Sequence, residues 1–269
     1  MAVATDLGAV SLTLDQLDWV AEQLGGARWP VVLDIGSRHA TVDERDEALA
    51  RAHEELKVAG LADDAGMLAQ LEDLTVPLSW PDRELELRVF GGAHIRRMAL
   101  VRRGFRHVMA LRSGGDSVLL RPLTIDSVDT LGGYVVGVLG AQAAADVADV
   151  SATTPEFQAK LDASPGRYGI TDAMYAFGAD QQQSMAMAAA LDSCTGHAEL
   201  VAVAHEEGCS SQSSGAVAIY ETSRGRIVAS PSMSPDGRVW TTIGTGSESR
   251  IKKAIAFMIE TLPGSGWLP

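Results

Sequence analysis

Two stretches of the chain each carry the pattern of four consecutive β-strands joined by turns. Both are rich in Val, Ile, Ala, Thr and aromatic residues, and turn-forming residues separate the apolar segments. The strands predicted in the first stretch are 84–90, 96–102, 107–112 and 117–120. Those predicted in the second are 198–205, 216–221, 226–230 and 238–243. The fold of this chain must therefore accommodate two four-stranded meanders.

Three landmarks recur in both stretches at a constant spacing of 121 residues. They are a turn glycine, a strand start and a predicted helix N-cap, at Gly104 and Gly225, Val118 and Val239, and Asp126 and Ser247. A constant offset predicts an internal duplication. Few residues are identical between the copies, so chance similarity is the alternative. The segment 151–169, with a helix start at Thr154 and a turn at 164–166, predicts an N-terminal half 1–150 and a C-terminal half 151–269 within one integrated domain.

Helical patterns surround the two meanders. Threonine capping boxes begin helices after Thr13 and Thr41, and glycines end them. The predicted helical spans are 13–24, 42–58, 65–74, 126–148, 171–191 and 248–261, with a further helix start at 154. The apolar run 29–35 predicts a short buried strand.

Charge and hydropathy restrict the partners that this chain can bind. The formal net charge is −13, which argues against nucleic acid, because phosphate binding requires Lys and Arg. No apolar run reaches the ~18–20 residues of a membrane helix, and the first residues lack the pattern of an export signal. We therefore expect a cytoplasmic protein that does not insert into a membrane.

Arginines are concentrated in one predicted hairpin of this acidic chain, at positions 96, 97, 102, 103, 106 and 112. One interpretation is that they protect an exposed strand from pairing with other chains. The other is a basic patch that binds an acidic protein surface.

The usual signatures of catalysis and cofactor binding are absent from the sequence, including nucleophile elbows, phosphate-binding glycine loops and zinc-protease motifs. Cys194 and Cys209 flank a predicted strand, so reduced thiols are expected, with neither a disulfide nor a zinc site. The segment 205–215 places His205 near Cys209, but its polar, serine-rich continuation predicts a flexible loop. We expect a non-enzyme without catalytic residues, cofactor or metal; a small-molecule-binding or enzymatic domain using 205–215 is the alternative.

Taken together, seven stretches resemble the EspG family, the cytosolic chaperones of mycobacterial type VII (ESX) secretion systems. They are 12–15, 29–35, 102–104 with 110–112, 215–218, 224–231, 244–250 and 260–267. The resemblance covers nearly the whole chain in order. It implies an α+β fold with a pseudo-twofold duplicated α/β unit, a central antiparallel β-sheet and flanking helical bundles.

The resemblance also implies a function. Such a protein binds PE–PPE heterodimers through the tip of the PPE subunit, keeps them soluble and targets them to an ESX system. The hairpin connection at 91–95 is shorter than is usual in the family, which moves the expected contact to the sheet and the second-half helices. The partner-binding residues expected from this groove are Arg96, Arg97, Met98, Arg102, Met174, Phe177, Met185, Met187, Met233 and Trp240. A weak homodimer through an edge strand is a further hypothesis.

Overall fold

An antiparallel sheet forms the centre of the computed structural model, which describes residues 8–36, 38–163, 166–206, 208–264 and 266–268. The strands are β1 (Val10–Thr13), β2 (Ala62–Asp63), β3 (Gly66–Met67), β4 (Arg83–Phe90), β5 (Arg96–Arg103), β6 (Arg106–Arg112), β7 (Ser117–Leu123), β8 (Val150–Thr153), β9 (Cys194–Glu206), β10 (Cys209–Gln212), β11 (Val217–Thr222), β12 (Gly225–Met233) and β13 (Val239–Thr245). The helices are α1 (Leu14–Gln23), α2 (Val42–Val58), α3 (Ala69–Ser79), α4 (Val128–Leu139), α5 (Thr154–Ala163), α6 (Gly166–Ala176), α7 (Gln181–Asp192) and α8 (Glu248–Glu260), with a 3₁₀ turn at Val31–Leu33. The fold is therefore α+β.

The order of strands across the large sheet is β1-β7-β6-β5-β4-β9-β11-β12-β13-β8, and β10 pairs with β9. Strands β2 and β3 form a separate hairpin. The two meanders meet at the β4–β9 pair, where Leu85 lies opposite Ala202 and Leu87 opposite Leu200. All eight strands predicted in the meanders are confirmed.

One face of the sheet is covered by α4 and α8, which span both meanders. Their apolar residues share a core with Leu87 of β4 and Leu200 of β9. The two helices approach closely at Gly132, where a Cβ added to the glycine would lie 2.8 Å from Cγ of Lys252. The predicted close packing of this glycine-rich helix is confirmed at that position.

The opposite face is covered by two separate groups of helices. The first-half layer, α1 to α3 with the 3₁₀ turn, packs on β1, β5, β6 and β7. The second-half layer, α5 to α7, packs on β8, β11, β12 and β13. The central strands β4 and β9 belong to neither of these two cores, so the middle of this face lies between the layers.

The C-terminal segment is tied to the sheet by two arginines that lie opposite each other on β4 and β5. Nη2 of Arg83 donates to the carbonyl of Pro263, and Nη1 of Arg102 donates to that of Trp267 at 2.7 Å. The Trp267 ring stacks on His107, whose pKa is lowered by burial and by the charge of Arg102. Arg102 is therefore an internal structural residue.

Four local predictions were wrong. The segment 29–35 contains a 3₁₀ turn in place of a strand, and the predicted helix 171–191 is two helices separated at Gly178, which has a φ of 95°. Helix α4 is capped by Ser127, one residue after the predicted Asp126, and ends at Gly140. Helix α3 begins after the predicted start and continues through Pro77. The bounds of the remaining helices lie within a few residues of those predicted, although Ser164 and Pro165 of the predicted turn lie outside the described residues.

Candidate functional site

A trough crosses the middle of the sheet face that lies between the two helical layers. Alternate residues of β4 and β9 form its floor, because successive side chains of a strand point to opposite faces. The floor residues are Glu84, Glu86, Arg88, Phe90, His197, Glu199, Val201, Val203 and His205. We call this surface the central trough. At the end occupied by Glu84 and His205 it deepens into a cleft of about 770 Å³.

The wall of this cleft on the side of the first-half layer is apolar. It is formed by Trp29, Pro30 and Val31, which lie before and at the start of the 3₁₀ turn, and by Trp80 at the end of α3. Val31 is 80 % exposed and Trp80 is 43 % exposed. The guanidinium of Arg103 lies 5.9 Å from the centre of the Trp80 ring and donates to the Trp80 carbonyl. The wall therefore presents accessible apolar surface on a fixed backbone.

The floor of the cleft contains a chain of three polar side chains. Nε2 of His205 lies 3.2 Å from Oε2 of Glu84, and Nδ1 lies 2.9 Å from Oγ of Ser210. Because an ionised carboxylate only accepts hydrogen bonds, a neutral imidazole in this arrangement would carry its proton on Nε2 and accept from the hydroxyl at Nδ1. The segment 206–215 was predicted to be a flexible loop, but it contains β10, which pairs with β9. The ring contacts Ser210, and the thiol of Cys209 is not among its hydrogen-bond partners.

Glu86 is the second acidic group on the floor. Burial raises the pKa of its carboxyl group, and the charge of Glu84 raises it further. A hydrogen bond from the backbone N–H of Val32 and the charge of Arg88 act in the opposite direction. Two carboxyl groups therefore lie side by side in a partly dehydrated cleft.

Several partner-binding residues predicted from the sequence lie in the interior. Met98 is buried beneath α4 and α8, and Met174 and Met187 are buried in the second-half core. Arg102 is also buried, and its guanidinium donates to the C-terminal segment at the carbonyl of Trp267. All four side chains are buried in the free chain, so a contact between them and a partner stays a prediction. A methionine pattern on a helix does not distinguish core packing from an adaptable binding surface.

The predicted residues of the second half that are not in the core differ in exposure. Phe177 is half-buried and stacks on Phe157 with ring centres 5.3 Å apart. Met185 on α7 and Met233 at the end of β12 are exposed, and Trp240 on β13 is half-buried.

Of the two interpretations of the arginine-rich hairpin, protection of an exposed strand is wrong, whereas a basic patch for an acidic partner stays a prediction. Strands β5 and β6 are interior strands of the sheet, so they present no edge to protect. Each arginine side chain has an intramolecular acceptor. The acceptors are the carbonyl of Val138 for Arg96, Asp34 for Arg97, the carbonyl of Trp267 for Arg102, the carbonyl of Trp80 for Arg103, Asp73 for Arg106 and the carbonyl of Leu33 for Arg112. These arginines fasten helices and connecting segments to the sheet.

Sequence reasoning missed the central trough. A usable signal is the segment Glu84 to Arg88, where acidic and basic residues alternate with leucines. Such alternation in a central strand indicates one face that no apolar layer covers. The pairing of β4 with β9, more than 100 residues later, is what adds His205 to this face.

The described part of the chain contains neither a metal cluster nor a disulfide. Within it, no group of three or more His, Cys, Asp or Glu side chains is arranged to hold a metal ion. Both cysteines are free and exposed. None of the described helices is long and apolar enough to cross a bilayer.

Comparison with known proteins decides the family. The model of the EspG family matches residues 13–256. The chain belongs to the EspG family. The resemblance drawn from the sequence is therefore confirmed.

Curated relatives in the EspG family align over nearly the full chain. ESX-1 secretion-associated protein EspG1 of Mycobacterium tuberculosis is 28 % identical over 272 residues, covering 98 % of this chain and 91 % of the relative. ESX-3 secretion-associated protein EspG3 of the same species is 26 % identical, covering 97 % and 94 %. EspG1 of Mycobacterium marinum is 27 % identical, covering 98 % and 92 %.

The fold is also that of a solved EspG structure. The Mycobacterium tuberculosis type VII secretion system chaperone EspG5, solved in complex with a PE25–PPE41 dimer, superposes with a TM-score of 0.80. The alignment covers 96 % of this chain and 98 % of EspG5, with 14 % sequence identity. The two chains therefore share the α+β architecture.

Proposed function

We propose that this chain is a cytoplasmic chaperone that binds PE–PPE heterodimers through the PPE subunit, keeps them soluble and targets them to an ESX secretion system. Membership of the EspG family supports this proposal, as do the ESX-associated names of its relatives. A shared fold with EspG5, solved with a PE25–PPE41 dimer, supports the choice of partner.

The observation that carries the proposal is the central trough. The centre of this sheet face lies between two helical layers, and its cleft has an apolar wall of Trp29, Val31 and Trp80. Exposed apolar surface of this kind is typical of a protein-binding site. A partner whose helices end in an apolar tip would gain by burying that tip here, because the same surface would otherwise promote aggregation.

Among the residues predicted from the sequence, those that remain accessible are proposed as peripheral contacts. Met185 and Met233 are exposed and belong to the second half, on which the expected contact was centred. Unbranched methionine side chains adapt to a partner's surface at small cost. The main contact is assigned to the trough.

Co-expression tests the proposal directly. A His-tagged form of this chain is co-expressed with an untagged PE–PPE pair and purified by affinity and size-exclusion chromatography. We expect a complex with one copy of each of the three chains, and more PPE protein in the soluble fraction than when the pair is expressed alone. Recovery of the chain without PPE protein across a panel of mycobacterial PE–PPE pairs would overturn the proposal.

A second function is favoured by one specific observation, the Ser210–His205–Glu84 chain. A hydroxyl, an imidazole and a carboxylate in sequence are the groups of a nucleophile, its base and an orienting acid. We nevertheless propose a non-enzyme. Ser210 lies on an exposed strand, where water competes with any bound substrate, and family membership favours a chaperone.

We further propose that the fold arose by duplication, with halves 1–150 and 151–269 that combine into one domain. The strand order supports this, because β1-β7-β6-β5-β4 repeats in reverse as β9-β11-β12-β13-β8 across the centre of the sheet. Helices α1 and α5 follow β1 and β8 directly, and α4 and α8 follow the two meanders. Weak self-association is proposed to use β1 or β8, because terminal strands carry unpaired backbone groups.

A further inference from the structure

The cleft in the central trough contains a buried carboxyl oxygen that receives no N–H hydrogen bond from the described residues. Glu84 is only 3 % exposed, and its Oε2 is within reach of His205. Its other oxygen, Oε1, is buried and accepts no N–H or hydroxyl hydrogen bond from the described residues, although the side chains of Glu84 and Glu86 lie within hydrogen-bond distance of each other. A buried carboxylate oxygen is unfavourable without a donor, so this atom marks a position at which an incoming N–H group would be stabilised.

A second carboxyl group stands beside the first. Glu86 is two residues further along β4, on the same face, and also lines the cleft. Burial and the charge of Glu84 both raise the pKa of Glu86. Two neighbouring acceptors with a shortage of donors suit a group that carries a positive charge and several N–H bonds.

The shape of the cleft further restricts which group can bind there. Its wall of Trp29, Val31 and Trp80 offers apolar contact above the acidic floor. A lysine or arginine side chain has this division, with a methylene stem and a charged, donor-rich end. A volume of about 770 Å³ is ample for one such side chain and the backbone that bears it.

The other charged groups of the cleft do not supply the missing donors. The guanidinium of Arg103 contacts the ring of Trp80 and donates to the Trp80 carbonyl, and Arg28 lies in the wall segment. Arg88 lies beyond Glu86 on the floor, and Asp82 and Glu206 add further negative charge at the rim. The carboxyl groups of Glu84 and Glu86 on β4 are therefore the acceptors that an incoming donor would meet at the bottom of the cleft.

We propose that Glu84 and Glu86 form a receptor for a lysine or arginine side chain at the tip of the PPE subunit, and that this contact selects among PE–PPE partners. The proposal rests on the proposed function, since it specifies the chemistry of the partner at the same trough. An acidic floor gives specificity as well as affinity, because a partner with an acidic or apolar residue at this position leaves buried carboxylates unpaired.

A small probe tests the receptor without any protein partner. N-ethylguanidinium reproduces the end of an arginine side chain, and N-ethylurea is an uncharged analogue of similar shape. We expect N-ethylguanidinium to shift the side-chain carboxyl ¹³C resonances of Glu84 and Glu86 saturably at neutral pH, with no saturable shift from N-ethylurea. The Glu84→Gln/Glu86→Gln double variant should lose the response, and Glu260→Gln, an exposed glutamate at the end of α8, should keep it. A linear response, or equal responses to both probes, would overturn the receptor.

The second arm uses the PE–PPE pair captured by the wild-type chain. The double variant should bind it at least about tenfold more weakly, because truncating one side of a buried charged contact is costly. The thermal midpoint of the variant should not fall, which separates lost binding from lost folding. Saturable probe binding with no captured PE–PPE pair would count against the proposed function alone. Capture with equal affinity by wild type and double variant would count against the receptor alone.

Discussion

Nε2 of His205 lies 3.2 Å from Oε2 of Glu84, so side chains as well as backbone join the two central strands of the sheet. The two residues come from different halves of the chain. They meet in the middle of this sheet face, between the two helical layers. The chemistry of the central trough therefore depends on the junction of the two meanders.

The Ser210–His205–Glu84 chain gives the enzymatic alternative a direct test. We expect no turnover of p-nitrophenyl acetate above the buffer rate by the wild-type chain, and unchanged PE–PPE capture by Ser210→Ala. Cys209→Ala serves as the neighbouring control, because its thiol is not bonded to the ring. Turnover that is lost in Ser210→Ala and retained in Cys209→Ala would instead favour an enzyme.

The raised pKa of Glu86 has a consequence for stability. Between the ordinary carboxyl value of 4.5 and the raised folded-state pKa, the folded chain binds more protons than the unfolded chain. Stability therefore falls as the pH rises through this window. Glu86→Gln removes that loss, so its thermal midpoint should exceed the wild-type value at neutral pH and converge with it below pH 4.5. The thermal midpoint of Glu260→Gln, a surface variant, should equal the wild-type value at every pH. A lower midpoint for Glu86→Gln at neutral pH would contradict the raised pKa of Glu86.

The link between Arg102 and the Trp267 carbonyl should be a major contribution to stability. Arg102→Ala leaves that buried carbonyl without a donor, and we expect urea denaturation to show a loss of about 2–4 kcal/mol. Arg106→Ala is the matched control from the same hairpin. Its partner Asp73 lies 2.5 Å away and both side chains are exposed, so the change should stay within about 0.5 kcal/mol. Similar losses for both variants would show that Arg102 does not act through the C-terminal segment.

Two glycines of α4 should respond in opposite directions. Gly137 faces open space, so Gly137→Ala should stabilise the helix by about 0.5–1 kcal/mol. At Gly132 a Cβ would meet Cγ of Lys252 at 2.8 Å, and Gly132→Ala should cost about 1 kcal/mol as α8 is displaced. Chemical denaturation of both variants measures the difference. Stabilisation by Gly132→Ala would mean that α4 and α8 are not closely packed there.

The meanders could be predicted from the sequence because their strands are long, rich in β-forming residues and joined by short turns. Strands β1 and β8 could not be predicted, because a strand of four residues is too short to show a clear apolar alternation. Their partners, β7 and β13, are also distant in the sequence. The helix around Gly178 was predicted as continuous because alanine and methionine favour helix on both sides of the break.

The candidate site was harder to predict than the fold. The sequence indicated that Met174 and Met187 lie in a helical stretch, but it did not indicate whether their side chains face the core or solvent. Both are buried, and the accessible apolar surface of the cleft comes instead from Val31 and Trp80 in connecting segments. Such surfaces depend on how loops and sheet meet in space, which a single sequence does not record.

Site-specific cross-linking tests the central claim most directly. p-Benzoylphenylalanine replaces Val31 on the wall of the cleft, or Val58 at the end of α2, which is 90 % exposed and lies outside the cleft. The complex with a PE–PPE pair is then irradiated and the products are identified by mass spectrometry. We expect position 31 to cross-link to the PPE subunit and position 58 to give no PPE product. PPE cross-links from position 58 with none from position 31 would contradict binding in the central trough.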